Sequence, residues 1–342
     1  MEAGKVVLDT PSLDYPFPPR MNEHASVAQH GTSGWVRTFG LLPDEKSLAL
    51  FDATGLGYLA ARNHPDLSAE DLRFISDWYA WLFLRDDKGD ASPAGRDPRG
   101  LSAADGRLLD VLEGVEPGEE DEPLAHALRD LRERTLGYLR ANSLPGVWMR
   151  RLVRAVREHL EATLWEASNR ARGTAPSLEA YVRMRPLTGG LSIVTELVEI
   201  VRGLHLPSEV REHAAVRRLT SASHNVTCWA NDIISLKKEL AAGEVNNLIP
   251  VLCAERRLSL QQALWEAARM HDAEVASFVE TSRTLPTFGP AVDEILGHYV
   301  LSLEARMRGV LDWSLGSERY RSEEAMISPA SRASTGLENK NP

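Results

Sequence analysis

Apolar positions along this chain recur at three- and four-residue steps almost throughout. Leu72, Ile75, Trp78, Tyr79, Leu82 and Phe83 share one helical face. Ser68 precedes them as an N-cap, with Glu70 and Asp71 in the first turn. Two more helices, rich in Leu, Ala, Glu and Arg, are predicted over 123–141 and 147–170. The stretch 177–207 starts as a helix, is interrupted at Pro186 and Thr188-Gly189-Gly190, and resumes through Leu197 to Leu204. Ser208 caps a segment running towards Gly243, a C-terminal stop. Residues 258–280 and 292–315 complete the set. Two-residue alternation of Val, Ile and Thr is missing, and so are hairpin turn pairs. The expected fold class is therefore all-α, a single helical bundle of roughly ten helices.

At the ends the pattern lapses. Residues 1–25, with Pro16, Pro18 and Pro19, read as an irregular N-terminal strap. Residues 26–321 form the helical domain, and 322–342 a polar, disordered tail.

Composition narrows the function. Of 342 residues 43% are hydrophobic, enough for a substantial core, and the net charge is −10. No basic stripe with interleaved aromatics is present, which argues against a nucleic-acid partner. The two cysteines, Cys228 and Cys253, sit in apolar helix-like segments and form neither a disulfide framework nor a zinc pattern. No run approaches ~18 apolar residues, and the N-terminus lacks a signal-peptide core. The chain reads as soluble and cytoplasmic, without a membrane span, and as a monomer or homodimer.

One helix ends oddly. The apolar run "WLFL" leads into "RDDKGD", where Asp86 and Asp90 lie four apart and Asp87 stands beside them. Gly89 is expected to end or loosen this last turn. The C-terminus of a helix already disfavours negative charge, so three carboxylates there repel one another unless a cation gathers them. Hard divalent cations take such oxygen ligands. The bland reading is a solvated helix end with Arg85 and Lys88 as counterions.

A second stretch, "NDIISLKKE", places Asn231, Ser235 and Glu239 at i, i+4 and i+8, an amide oxygen, a hydroxyl and a carboxylate on one face. Val226, Ile233 and Leu240 line another face. Since "HNVTCWANDIISL" is largely apolar, a buried polar row there without partners would be costly. It is a credible second cation cage.

Together "DDKGD" and "NDIISLKKE" resemble the two metal-binding motifs of class I terpene synthases, the aspartate-rich motif and the N-D-x-x-S-x-x-x-E triad. Arg185, 46 positions before Asn231, falls where bacterial members keep a diphosphate-sensing arginine; Arg183 competes for the role, and spacing decides for Arg185. Thr188 and Gly189 match the linker and effector positions, with Gly190 an alternative effector. Lys238 matches a diphosphate-contacting lysine, and Arg319–Tyr320 the C-terminal diphosphate-binding pair. Even "YPFPPRMNEHA" looks like the N-terminal segment of these proteins. The likeness spans roughly residues 14–320. Arg85 departs from it, standing where the family often has an apolar or aromatic residue.

The resemblance implies an α-helical bundle around an apolar pocket and a magnesium-dependent cyclisation of a linear isoprenyl diphosphate, farnesyl diphosphate first and geranylgeranyl diphosphate second. It implies three magnesium ions. Asp86, Asp87 and Asp90 would hold two, and Asn231, Ser235 and Glu239 the third. The strap and the Arg319–Tyr320 tail would exclude water. Phe83 and Trp313 are the candidate pocket aromatics, with Trp78 and Trp81 behind them, since an aromatic ring face can stabilise positive charge. A chain-elongating prenyl synthase would resemble two aspartate-rich motifs instead, and an inactive diphosphate-binding bundle would keep the fold without the reaction.

Overall fold

The computed structural model describes residues 8–91 and 98–321, and only the backbone of 89–91, 98–101 and 321. The tail 322–342 and residues 1–7 of the strap lie outside the described residues. Among the described residues there are fifteen helical segments and no strand. After the irregular segment 8–24 come α1 (Ala25–Thr38), α2 (Glu45–Thr54), α3 (Leu56–Asn63) and the long α4 (Ala69–Ala91). They are followed by α5 (Pro98–Glu113), α6 (Pro123–Ala141) and α7 (Val147–Arg172). α8 (Leu178–Thr188) and α9 (Leu191–Arg202) form a broken pair. α10 (Ser208–Arg211) is a single turn and α11 (Ala214–Ala242) the longest helix. α12 (Leu248–Arg256), α13 (Leu260–Arg283), α14 (Pro290–Gly316) and the one-turn α15 (Glu318–Arg321) close the chain.

Local chemistry sets most of these bounds. The Ser68 hydroxyl accepts from Asp71 N as α4 begins. Pro123 opens α6, where a missing N–H costs nothing. Ser259 and Gln262 form a reciprocal capping box on α13. Gly243, left-handed at φ 73°, ends α11.

Three local expectations are corrected. α8 stays helical through Pro186 to Thr188, although a proline there removes one helical hydrogen bond and crowds the preceding turn; the break falls at Gly189 and at Gly190, whose φ is 65°. Ser208 opens only the one-turn α10, and α11 starts afresh after His213, whose ring accepts from Ala215 N. The backbone of α4 stays helical past Gly89 to Ala91.

α4 shows why a chain can carry acids at a helix end. Leu72, Phe74, Ile75, Trp78, Ala80 and Trp81 are at most 1% exposed. Each large apolar side chain buried contributes about 1.5–3 kcal/mol, whereas a badly placed charge at a helix terminus costs about 0.3–1 kcal/mol. Packing therefore holds the terminal acids in place against their own repulsion. α3, α4, α9, α8, α11 and α14 contact one another in sequence around a ring, and α7 backs α8 and α9. The cavity lies inside that ring.

The segment 8–24 sits elsewhere. Tyr15 and Phe17 are buried against α13, with the Phe17 ring edge-on to Phe278 and Tyr15 hydrogen bonded to His271. None of its residues lines the cavity, so the expectation that the strap shuts out water has no support in this arrangement.

Candidate active site

The cavity, of about 340 Å³, is open at one end. α4 contributes Tyr79, Leu82, Phe83, Asp86 and Asp87; α7 contributes His159, Thr163, Glu166 and Arg170. The α8–α9 break supplies Arg185, Thr188, Gly189 and Gly190, and α11 supplies Thr227, Cys228, Asn231, Lys238 and Glu239. Arg306, Val310 and Trp313 come from α14, and Arg319 and Tyr320 from the C-terminal turn. Asp86 and Glu239, distant in sequence, thus share one opening. Of the metal, diphosphate and first-choice pocket residues singled out from sequence, all but Asp90 and Ser235 line it. The side chain of Asp90 lies outside the described residues, and Ser235 is buried behind the wall at 1% exposure.

The acids of α4 have distant partners. Asp86 Oδ1 lies 3.5 Å from His159 Nε2, too long for a hydrogen bond, and both atoms lack a hydrogen-bond partner. Enclosure opposes the charge on Asp86, but His159, Arg85 and Arg319 hold its carboxyl below the usual range. Asp87 accepts from Arg319 Nη2 at 2.8 Å and Nη1 at 3.3 Å. The expected counterions are engaged elsewhere. Arg85 forks onto Asp105 of α5 at 2.7–3.0 Å, fully buried, and Lys88 pairs with Glu122. Arg85 is thus internal support for α4 against α5, which explains a charge where an apolar residue was expected.

The face on α11 is wired both locally and to α8 and α15. Asn231 Oδ1 accepts from Arg185 Nη2 at 2.9 Å, and its Nδ2 donates to Tyr320 Oη at 2.7 Å. The Ser235 hydroxyl donates back to Asn231 O at 2.7 Å, which leaves its oxygen lone pairs able to accept. Glu239 Oε2 accepts from Asn247 Nδ2 at 2.8 Å. Burial and the neighbouring Asp232 charge push the Glu239 carboxyl up. Leu240 faces solvent at 39% exposure, unlike Val226 and Ile233.

Arg185 also donates from Nε to Asp232 Oδ1 at 2.9 Å, and Tyr181 donates to the other oxygen of that carboxylate. Burial works against its charge, but Asp232 keeps it protonated. Arg183 is exposed and outside the cavity lining. Arg185 Nη1 reaches Thr188 Oγ1 at 3.5 Å. At the break, Leu187 O takes hydrogen bonds from Gly190 N and the His159 ring, both at 3.0 Å. A Cβ on Gly189 would meet Cys228 Sγ at 3.2 Å and Arg185 O at 3.3 Å, so this wall of the cavity is bare backbone.

The aromatics divide. Trp78 and Trp81 are wholly buried, edge to face, and belong to the core. Phe83 and Trp313 line the cavity 5.9 Å apart, edge to face; Arg319 sits 4.9 Å over Phe83, and Tyr320 packs on Trp313 at 5.7 Å. Lys238 lies 5.9 Å over the Tyr320 ring.

Among the cavity residues that sequence reasoning missed are His159, Glu166 and Arg306. Burial pushes the Glu166 carboxyl up to about 8 despite Arg185 and Arg170 nearby. A signal existed: Leu152, Val156, His159, Thr163 and Glu166 share one face of α7, and Tyr299, Leu303, Arg306, Val310 and Trp313 one face of α14, so polar residues interrupt apolar stripes.

The profile of terpene synthase family 2, described as its C-terminal metal-binding region, matches residues 77–277, which include both oxygen-bearing faces. This chain belongs to the terpene synthase family. It is 37% identical to the (+)-T-muurolol synthase ((2E,6E)-farnesyl diphosphate cyclizing) of Roseiflexus castenholzii, over 90% of this chain and 93% of that protein. To the 10-epi-cubebol synthase of Sorangium cellulosum it is 36% identical, over 91% and 98%. The crystal structure of the SVS_A2 protein from ancestral sequence reconstruction superposes with a TM-score of 0.80 at 28% identity, covering 90% of each chain. The all-α bundle is thus the terpene synthase fold, and the enzyme is a lyase of that family. No described helix is long and apolar enough to cross a membrane.

Proposed function

We propose that this enzyme ionises farnesyl diphosphate and closes the resulting cation into a cyclic sesquiterpene, with magnesium ions at the cavity mouth. The carrying observation is that Asp86, Asp87, Asn231 and Glu239 converge on one opening with Arg185, Lys238, Arg319 and Tyr320, above an otherwise mostly apolar cup. The name of the Roseiflexus relative supports the fifteen-carbon substrate.

The donor set fits a hard divalent cation. Asp86 Oδ1 is an orphaned oxygen, Ser235 keeps lone pairs, and Glu239 is a carboxylate whose charge the protein alone disfavours. Asp86, Asp87 and Asp90 would hold two magnesium ions and the triad the third. When bound, these ions neutralise the charge that grows on the diphosphate as the allylic carbon–oxygen bond breaks.

This chain's own residues do the remainder. Arg185, Lys238, Arg319 and Tyr320 donate to the other phosphate oxygens, electrostatic stabilisation in a site shielded from water. Two donors are held in reserve, Arg319 on Asp87 and Arg185 on Asn231, so substrate entry exchanges one set of ion pairs for another. Thr188 links Arg185 to the break, and Gly189 lets a backbone carbonyl approach the reacting carbons. Phe83 and Trp313 present ring faces to the migrating charge. α15 covers the mouth and excludes water.

The direct test is incubation with magnesium and geranyl, farnesyl or geranylgeranyl diphosphate separately, followed by mass spectrometry of the volatile extract. Cyclic fifteen-carbon products from farnesyl diphosphate alone are expected. Twenty-carbon products from geranylgeranyl diphosphate would reassign the substrate. Longer diphosphates made with added isopentenyl diphosphate would overturn cyclisation.

A further inference from the structure

The far end of the cavity is not apolar. Tyr79 lies seven residues before Asp86 on α4, and Arg306 seven before Trp313 on α14. At 1.5 Å per residue each stands about 10 Å below the mouth. Asn63 joins them from α3.

Arg306 is only 3% exposed, and no carboxylate among the described residues pairs with it. Its Nη1 donates to Thr195 Oγ1 at 2.9 Å and Nη2 to Ser223 Oγ at 3.3 Å, while Nε has no partner. Asn63 Nδ2 donates to Tyr79 Oη at 3.2 Å, while its Oδ1, also buried, has no partner. Tyr79 Oη is 2.8 Å from His64 Nε2.

A lone guanidinium is an expensive wall for a cup that holds carbocations. Burying an unpaired ion costs several kcal/mol, and an apolar side chain of similar volume avoids that cost. A cation beside it is repelled by about 4 kcal/mol at 4 Å. Both penalties fall if a molecule with lone pairs stands between the guanidinium and the cation. Water suits this place, because a polar pocket offers it donors and acceptors together.

Resting on the cyclase reading above, we propose that Arg306, Asn63 and Tyr79 hold a water molecule at the deep end, and that this water captures the last carbocation, so that the product is a cyclic alcohol. A lone pair of the water forms the new carbon–oxygen bond. The oxonium O–H then breaks, its proton passing to Tyr79 Oη as Tyr79 delivers its own to His64 Nε2. This requires the His64 tautomer protonated at Nδ1. Burial pushes His64 down to about 3, a weak base, yet an alkyl oxonium is a far stronger acid than that imidazolium. Product release returns the proton to solvent, and no oxidant or reductant is consumed.

The test is turnover of farnesyl diphosphate in water enriched in heavy oxygen. A labelled alcohol is expected as the main product. In Tyr79→Phe, and in Arg306→Met, the ratio of alcohol to hydrocarbon should fall at least about tenfold, the scale of losing one buried hydrogen-bonding group. Should Arg306→Met fail to fold by circular dichroism, Tyr79→Phe carries the test alone. Hydrocarbon as the main wild-type product, an unlabelled alcohol, or an unchanged ratio in Tyr79→Phe overturns the water site and leaves the cyclase reading standing. No volatile product from any of the three diphosphates overturns both.

Discussion

The two oxygen-bearing faces of the mouth are built in opposite ways. On α11 the residues leading to Asn231 are buried from Ala222 to Ala230, and two of the triad bond close by, Ser235 to the Asn231 carbonyl and Glu239 to Asn247, while only Asn231 reaches remote elements, Arg185 of α8 and Tyr320 of α15. On α4 the acids sit in the last turns of the helix. Asp86 is 39% exposed, and the partners come from remote elements, His159 of α7 and Arg319 of α15. One face is rooted in the core and touched by distant elements only at Asn231, and the other is held by distant elements throughout. Ser235 and Glu239 should bind a ligand with little rearrangement, whereas Asn231 and the acids of α4 couple binding to the C-terminal turn through Tyr320 and Arg319.

Substitutions can break that contrast. The largest effect is expected at the fixed face: Asn231→Ala or Glu239→Ala should lower kcat/KM by at least about a thousandfold, roughly 4 kcal/mol, with helical circular dichroism unchanged. Normal turnover in either variant would refute the third-metal assignment. At the assembled face, Asp86→Asn should cost about a hundredfold, or ~2.7 kcal/mol, and raise the magnesium concentration needed for half-maximal rate. An Asp86→Asn loss equal to that of the triad variants would erase the distinction. Tyr320→Phe removes one hydrogen bond to Asn231, and a loss of about fivefold in kcat/KM is expected. Wild-type kinetics there would show that the turn closes without it.

The last effect leaves turnover aside and concerns stability and pH. Glu166 is raised from 4.5 to about 8 in the folded protein. Across that window the unfolded chain releases the proton while the folded protein retains it, so wild-type stability falls as pH rises. Glu166→Gln lacks this slope. Its melting temperature relative to wild type should therefore climb, by about five degrees, between about pH 5 and pH 8. A constant difference would place the carboxyl in an ordinary, ionised state.

The fold was largely legible because helices carry periodic signals. Residues 123–141 and the stop at Gly243 lie where the pattern puts them. The short α2 and α3 were not placed, since ten and eight residues carry too little periodicity. Both oxygen-bearing motifs could be read from residue type and spacing. The partners of Asp86 and Asp87 could not, because His159 and Arg319 reach them only through tertiary packing. Arg306 is the instructive miss. In "LEARMRG" an arginine reads as surface polarity, and only its place on the Tyr299–Leu303–Val310–Trp313 stripe marks it as interior.

One consequence of α15 concerns synthesis of the chain. The Ser317 hydroxyl bonds Thr54 O, and Arg319 and Tyr320 then reach across to Asp87 and Asn231. The cover is thus among the last described parts to leave the ribosome, after every wall of the cup has been made. On the cyclase reading, a nascent protein truncated at Ser317 is expected to fold yet lack turnover until Arg319 and Tyr320 have been added.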